Sequence, residues 1–127
     1  MKTPPGFWVI GLLFLALTAC TRQSGAANGI EKYIQALSEK NRDQVINASC
    51  KAWEEQATIE VDSLELVGTK LEGLACQESG SDGDSRLVTC QGKIITTYDA
   101  ETVELDLTKN TYIAVDEDGS WKMCGYR

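Results

Sequence analysis

The sequence predicts an α+β domain in which two helices precede and cover a curved antiparallel sheet of about four or five strands. Apolar residues recur at helical spacing between residues 29 and 58, and many of those after residue 63 alternate with polar ones. Asp118-Gly119, between two alternating segments, is typical of a two-residue hairpin turn. Helices followed by a run of hairpin-connected strands indicate the α+β class.

The N-terminal segment is apolar and ends at a cysteine. Lys2 precedes an apolar and small-residue stretch over residues 7–19, and Leu17-Thr18-Ala19-Cys20 closes it. This segment resembles the signal peptide of a bacterial lipoprotein, and its last four residues match the lipobox at which such signals are cleaved. The stretch has the length of a signal-peptide core and is short for a membrane span. An uncleaved membrane helix over residues 3–19 is the alternative, against which two nearby prolines and the weak flanking charge argue.

The lipobox resemblance implies how the protein is held in place. Cys20 would carry a diacylglyceryl group on its sulfur and become the mature N-terminus after removal of residues 1–19. Two or more acyl chains give stable anchoring. We therefore expect an extracytoplasmic protein, on the outer face of the cell membrane or facing the periplasm where an outer membrane exists. The lipid on Cys20 would make its contact with the membrane.

The length and charge of the remaining chain limit its function. Cleavage would leave 108 residues, enough for a short flexible tether at residues 20–28 and one domain over residues 29–127. The full chain has 12 basic and 19 acidic residues, a net charge of −7, and loss of Lys2 makes it −8. A protein this acidic is not expected to bind nucleic acid.

The four cysteines that follow the lipobox predict two disulfides, because an even number is expected in an oxidising compartment. Three pairings are open. We favour Cys76–Cys90, which flanks a polar segment, and Cys50–Cys124, which would join the buried face of a helix to the last strand. The sequence has no histidine and none of the paired short cysteine spacings of zinc sites, so we expect no metal and no other cofactor.

Two helices are predicted at the start of the domain. Ile30, Tyr33, Ile34 and Leu37 follow helical spacing and predict a helix over residues 29–39, for which Asn28 is a candidate N-cap. Asn41-Arg42-Asp43 interrupts the pattern. A second apolar stripe then predicts a helix at about residues 42–58, with Trp53 as a core residue.

The strands follow in sequence order. We expect a first strand over residues 63–77 with a bulge or bend near Gly68, a polar loop at 78–85, a second strand at 87–98, a half-buried strand at 103–108, and a final hairpin of 112–117 and 120–126. The Asp118-Gly119 turn would place Glu117 opposite Ser120, Val115 opposite Lys122 and Ile113 opposite Cys124. Cys124 would then share the helix side of the sheet with Ile113 and Val115, and the opposite face would carry Tyr112, Ala114, Trp121 and Met123.

The order of these elements resembles the NTF2-like superfamily. The similarity covers about residues 29–126 by element order, and residue by residue only in Asp118-Gly119-Ser120-Trp121-Lys122-Met123 of the last hairpin. The cystatin fold is also similar, since it too wraps a curved antiparallel sheet around a helix. The NTF2-like resemblance implies a cone with a pocket between helix and sheet. Because its members range from isomerases to binding modules, it implies no single function.

The sequence contains no close match to a catalytic cluster or to a calcium-binding loop. Tyr98, Asp99 and Glu101 form the nearest approach to an acid–base cluster, but residues 99–102 are typical of a polar turn. Calcium loops counted from Asp82 and Asp116 place Lys93 and Arg127, respectively, where a bidentate glutamate is required. We therefore expect no catalytic residues and no bound calcium.

The sequence thus favours a non-catalytic, lipid-anchored protein that binds an envelope protein or acts as a scaffold. A carrier of a small apolar ligand in an NTF2-like pocket is the alternative, followed by an acid–base enzyme. The aromatic face of Trp121, Met123 and Tyr112 could be core, the wall of a ligand pocket, or an exposed docking patch.

Overall fold

An antiparallel sheet of five strands, covered on one face by a long helix, forms the body of the protein. The computed structural model describes Gly6 and residues 24–127. Its elements are α1 (Gly25–Ser38), α2 (Arg42–Asn47), α3 (Glu54–Ser63), β1 (Gly68–Asp82), β2 (Ser85–Tyr98), β3 (Glu101–Asp106), β4 (Thr111–Glu117) and β5 (Ser120–Tyr126), with 3₁₀ turns at Lys51–Trp53 and Leu107–Lys109. The α+β class with an antiparallel sheet is confirmed. The predicted signal peptide and Cys20 lie outside the described residues.

The long strand β2 organises the sheet. β1 pairs with it along one edge, while its other edge is shared by β4 at its start and β3 at its end, and β5 lies outside β4. β1 bulges opposite Gly92, where an added Cβ would lie 2.5 Å from the Glu72 carbonyl oxygen. A bulge bends the strand that carries it. The irregularity predicted near Gly68 therefore occurs at residues 73 and 74 instead.

Helix α1 packs directly on the sheet and begins earlier than predicted. The Ser24 hydroxyl caps it by accepting a hydrogen bond from the Ala27 backbone nitrogen at 3.1 Å. Residues 25–28, expected to be tether, are helical, and Ala26 and Ala27 are buried. Two glycines allow this close packing: a Cβ at Gly25, in the expected tether, would lie 2.6 Å from the Trp121 ring, and a Cβ at Gly29 would lie 2.6 Å from the Trp121 carbonyl oxygen.

The second predicted helix, residues 42–58, is wrong as a single element. The chain leaves α2 after Asn47 and re-enters helix at Glu54. Between them it runs beside β5, where the Cys50 nitrogen donates to the Met123 oxygen and the Met123 nitrogen donates to the Ala48 oxygen, both at 2.8 Å. These backbone groups exchange helical hydrogen bonds for bonds to a strand edge. Helix α3 then continues to Ser63, so the first strand starts at Gly68 and not at residue 63.

Two exposed segments also differ from expectation. The polar segment 78–85 is not a loop, because β1 and β2 continue through it to a tight turn at Gly83 and Asp84. Strand β3 is more exposed than predicted, with Val103 at 55% and Leu105 at 43%. Polar composition predicted a loop in the first case, because it does not distinguish an exposed hairpin from a loop. Alternation predicted a strand in the second case, but it does not specify whether another element covers that strand.

The register of the final hairpin follows the predicted turn for its first pairs. Glu117 pairs with Ser120 and Val115 with Lys122. A bulge at Cys124 then places Ile113 opposite Gly125 rather than Cys124. The buried side of this hairpin carries Tyr112, Ala114 and Met123. The sequence predicted the helices on the other face, with Ile113 and Val115, and that prediction is wrong.

Candidate functional site

The structure brings both favoured cysteine pairs together. Cys50–Cys124 joins the segment after α2 to β5, with 5.3 Å between the Cα atoms. Cys76–Cys90 joins directly opposite positions of β1 and β2, with 4.1 Å between the Cα atoms. Disulfides are compatible with an extracytoplasmic location. Among the described residues, no helix has the length and apolar character needed to cross a bilayer.

The residues that the sequence offered as catalytic or calcium-binding candidates do not line the groove described below. Asp99 occupies the turn between β2 and β3, and Tyr98 beside it is 58% exposed. Asp82 forms an ion pair with Arg127 at 3.3 Å. Within residues 24–127, no group of three or more cysteine, aspartate or glutamate side chains is placed to hold a metal ion.

A tyrosine cluster, which the sequence did not indicate, joins α1, α3 and β5. We define it as Tyr33, Trp53, Glu60, Tyr112 and Tyr126. One carboxylate oxygen of Glu60 accepts hydrogen bonds from the Tyr33 hydroxyl at 2.6 Å and the Tyr126 hydroxyl at 2.9 Å. The Trp53 indole nitrogen donates to the Tyr33 oxygen at 3.4 Å, and the Tyr126 ring contacts those of Trp53 and Tyr112 at centroid distances of 5.5 and 5.4 Å.

The phenols of the tyrosine cluster remain protonated donors. Burial raises the pKa of Tyr33 well above its usual value, and the hydrogen bond to Glu60 raises it further. The pKa of Tyr126 is raised by burial and then by the Glu60 charge, and the pKa of Tyr112 is raised by burial. The hydroxyls of Tyr33 and Tyr126 are thus committed to Glu60. This pairing fixes the end of β5 to α3.

The raised pKa of Tyr33 predicts a loss of stability in alkali. Above about pH 10 the unfolded chain releases this proton and the folded chain retains it, so the free energy of unfolding should fall by up to about 1.4 kcal/mol per pH unit for this group. Tyr126, 38% exposed, should contribute less because water screens it. Urea titrations from pH 9 to pH 11 should show a shallower fall for Tyr33→Phe. The exposed Tyr98→Phe control should match wild type, and equal slopes for all three proteins would contradict the assignment.

A polar groove lies along the flank of α1, between that helix, the end of α2 and the start of β5. This α1–β5 groove has a volume of about 640 Å³. Within the described part of the chain, its lining includes Asn28, Lys32, Gln35, Glu39, Gln44, Asn47, Lys122 and, as the one large apolar residue, Trp121. Of these residues, only Trp121 was a candidate for ligand binding from the sequence, because the four amides and the charged groups are scattered over three elements.

The polar groups of the α1–β5 groove are largely unpaired. Lys122 donates to the backbone oxygen of Asn47. By contrast, the side chains of Asn28, Lys32, Gln35 and Gln44 bond to no other group in the described part of the chain. All four are exposed. The groove therefore presents amide donors, amide acceptors and an ammonium group to solvent.

The predicted aromatic face divides between core and groove. Tyr112 and Met123 are buried between α1 and the sheet, so they are core. Trp121 is half-buried and lines the groove, with the Arg86 guanidinium 5.9 Å from its ring centroid.

Comparison with known proteins identifies the fold. No protein-family model and no curated protein sequence matches the chain. A proposed ketosteroid isomerase from Shewanella frigidimarina has a similar structure, with a TM-score of 0.51 and 16% identity over 79% of this chain and 90% of that one. The domain has an NTF2-like fold. An NTF2-like protein of unknown function from Cytophaga hutchinsonii aligns at a TM-score of 0.42 and 8% identity, over 85% of this chain and 94% of that one.

At such identities the likeness concerns the fold alone. Of the two folds that the sequence resembles, the Shewanella frigidimarina structure supports the NTF2-like one. Between α1 and the sheet of this NTF2-like domain, the space is occupied by the buried side chains of Tyr33, Tyr112 and Met123. The α1–β5 groove lies outside that core, on the flank of the helix.

Proposed function

We propose that this protein is a lipid-anchored, extracytoplasmic and non-catalytic binding protein that contacts its partner through the α1–β5 groove. The observation that carries the proposal is the set of unpaired polar side chains around Trp121 in a groove of about 640 Å³. Exposed amides that no protein group satisfies are available to a ligand at no cost in broken internal hydrogen bonds. The lipobox ending at Cys20 and the two disulfides support the extracytoplasmic, lipid-anchored location.

A carrier of small apolar ligands is less well supported. An apolar ligand is stabilised by contact with apolar surface, and binding pockets for such ligands are lined mainly by apolar and aromatic side chains. Trp121 is the one large apolar residue of the groove, and the space between helix and sheet is filled by core residues. The groove therefore fits a polar partner.

Replacing Cys20 by serine tests the anchor. The serine variant cannot accept a thioether-linked lipid, so it should leave the membrane fraction for the soluble fraction when cells are lysed and fractionated. A Ser24→Ala variant, altered four residues away, should stay with the membranes. Firm retention of Cys20→Ser in membranes, or mass analysis of the natural protein showing an unmodified sulfur, would contradict lipidation.

Cross-linking in native membranes tests the groove. We would compare wild type with a groove variant, Gln35→Ala/Gln44→Ala, and with a matched control, Gln56→Ala/Gln77→Ala, whose exposed glutamines lie outside the groove. The wild type and the control should recover the same partner by mass spectrometry, and the groove variant should recover much less. Equal recovery by all three would exclude the groove as the contact site. Recovery of no protein, glycan or other molecule besides lipid and the protein itself would count against a binding function.

An acid–base enzyme is a second candidate, and the tyrosine cluster is the observation in its favour. It combines a carboxylate with two phenols in a fold shared with a proposed ketosteroid isomerase. In this chain, however, both phenols donate to Glu60, which leaves neither hydroxyl proton for a substrate oxygen. Isomerisation of a ketosteroid that is lost in Glu60→Gln would favour the enzyme. Absence of turnover above the uncatalysed rate would favour the binding protein.

A further inference from the structure

We propose that the ligand of the α1–β5 groove is an oligosaccharide that is neutral or carries a single negative charge. The proposal rests on the proposed function, since it names the ligand class of the same groove. Three properties of the groove carry it: the chemistry of its lining, its charge, and the closure of the neighbouring strand edge.

The lining combines hydrogen-bond donors and acceptors on the same side chains. Asn28, Gln35, Gln44 and Asn47 each carry a carboxamide, which offers two N–H donors and a carbonyl acceptor. A sugar hydroxyl is likewise both a donor and an acceptor. Four exposed carboxamides in one groove therefore match a ligand rich in hydroxyl groups, whereas an apolar ligand would leave them unsatisfied.

The charge of the chain as a whole disfavours a polyanion. The charged residues in the described lining of the groove are Lys32, Glu39 and Lys122, and Lys122 is already bonded to the backbone carbonyl of Asn47. Around them the whole chain carries a net charge of −7. A ligand with many negative charges would be repelled at long range. Lys32, which has no ion-pair partner among the described residues, can accommodate one carboxylate.

A peptide ligand is disfavoured by the edge of β5. An extended peptide commonly binds by adding a strand to an open sheet edge. Here the chain next to the groove closes that edge, because Ala48 and Cys50 exchange backbone hydrogen bonds with Met123. Protein partners also rely on buried aromatic or aliphatic anchors in deep apolar pockets, and the groove offers only half-buried Trp121.

The groove is long enough for a chain of sugars. Its lining along α1 extends from Gly25 to the C-cap residue Glu39. At the helical rise this span is roughly 21 Å. Such a length accommodates several linked pyranose rings, so an oligosaccharide should bind more tightly than the corresponding monosaccharide.

Calorimetric titration of the full chain, purified from membranes in detergent, tests the proposal. The probes are β-1,4-linked tri-N-acetylglucosamine, cellotriose and maltotriose, with a heparin hexasaccharide as the polyanion. At least one neutral trisaccharide should bind, and heparin should not. The groove variant Gln35→Ala/Gln44→Ala should weaken that binding by about tenfold or more, because two hydrogen bonds are lost. The control Gln56→Ala/Gln77→Ala should bind like wild type.

Three outcomes would overturn the sugar proposal: no binding of any trisaccharide at millimolar concentration, preference for heparin, or equal binding by the groove variant and wild type. These are distinguishable from failure of the proposed function. If membrane cross-linking still recovers a partner that only the groove variant loses, the groove is a binding site for another class of ligand. If the groove variant recovers the partner normally, the groove itself is not the contact site.

Discussion

Replacing Cys50 and Cys124 together by alanine should lower the free energy of unfolding by about 4 kcal/mol. The bond closes a loop with a sequence separation of 74 residues, and the unfolded chain gains the entropy of that loop when the bond is removed. For a domain of this size the melting temperature should fall by about 20 °C. Urea titration under oxidising conditions measures the change. Alanine is preferred to serine because Cys50 is buried and a hydroxyl there would need a partner.

The second disulfide provides the matched comparison. Removing Cys76 and Cys90 opens a loop with a separation of only 14 residues, so the expected loss is about 3 kcal/mol. The β1–β2 hairpin retains its strand pairing on both sides of this bond. A larger loss from the Cys76–Cys90 pair than from the Cys50–Cys124 pair would contradict the loop argument.

Gly29→Ala should destabilise the protein by about 2 kcal/mol, although alanine is the better helix former by about 1 kcal/mol. The added Cβ would lie 2.6 Å from the Trp121 carbonyl oxygen, which is backbone and cannot rotate away. Helix α1 must then move off β5, which disturbs the core beneath it. The free energy of unfolding from urea titration gives the sign directly.

Gln35→Ala is the control for the same helix, since its side chain is exposed and its replacement should change stability by no more than about 0.5 kcal/mol. A gain in stability for Gly29→Ala, of the size that helix propensity alone predicts, would show that α1 does not contact β5 as described. A loss equal in both variants would point to a general effect on the helix.

Local patterns in the sequence predicted the elements whose structure depends on neighbouring residues. The spacing of Ile30, Tyr33, Ile34 and Leu37 predicted α1, and Asp118-Gly119 predicted the last hairpin and its first pairs. Both follow from short-range geometry: the helical repeat in one case and the two-residue turn in the other.

Apart from the Cys50–Cys124 pairing, the features that depend on distant residues were not predicted. Ser49 and Cys50 fit a helical stripe, but hydrogen bonds to Met123, more than 70 residues later, draw the backbone out of the helix. The tyrosine cluster likewise joins positions 33, 60 and 126, which no local pattern connects. The amides of the α1–β5 groove are ordinary exposed residues in the sequence, and only the packing of α1 against β5 places them in one groove.

The packing of α1 against β5 also governs when the domain can fold. These are the first and last elements that the structure describes, and Cys124 and Tyr126 of β5 connect it to the segment after α2 and to α3. A polypeptide that emerges from a ribosome or a membrane pore with its N-terminus first cannot complete its core until β5 has followed. Contacts between sequence-distant segments also slow folding. With the extracytoplasmic location that we propose, the chain should therefore remain unfolded during export and acquire its native structure only after translocation.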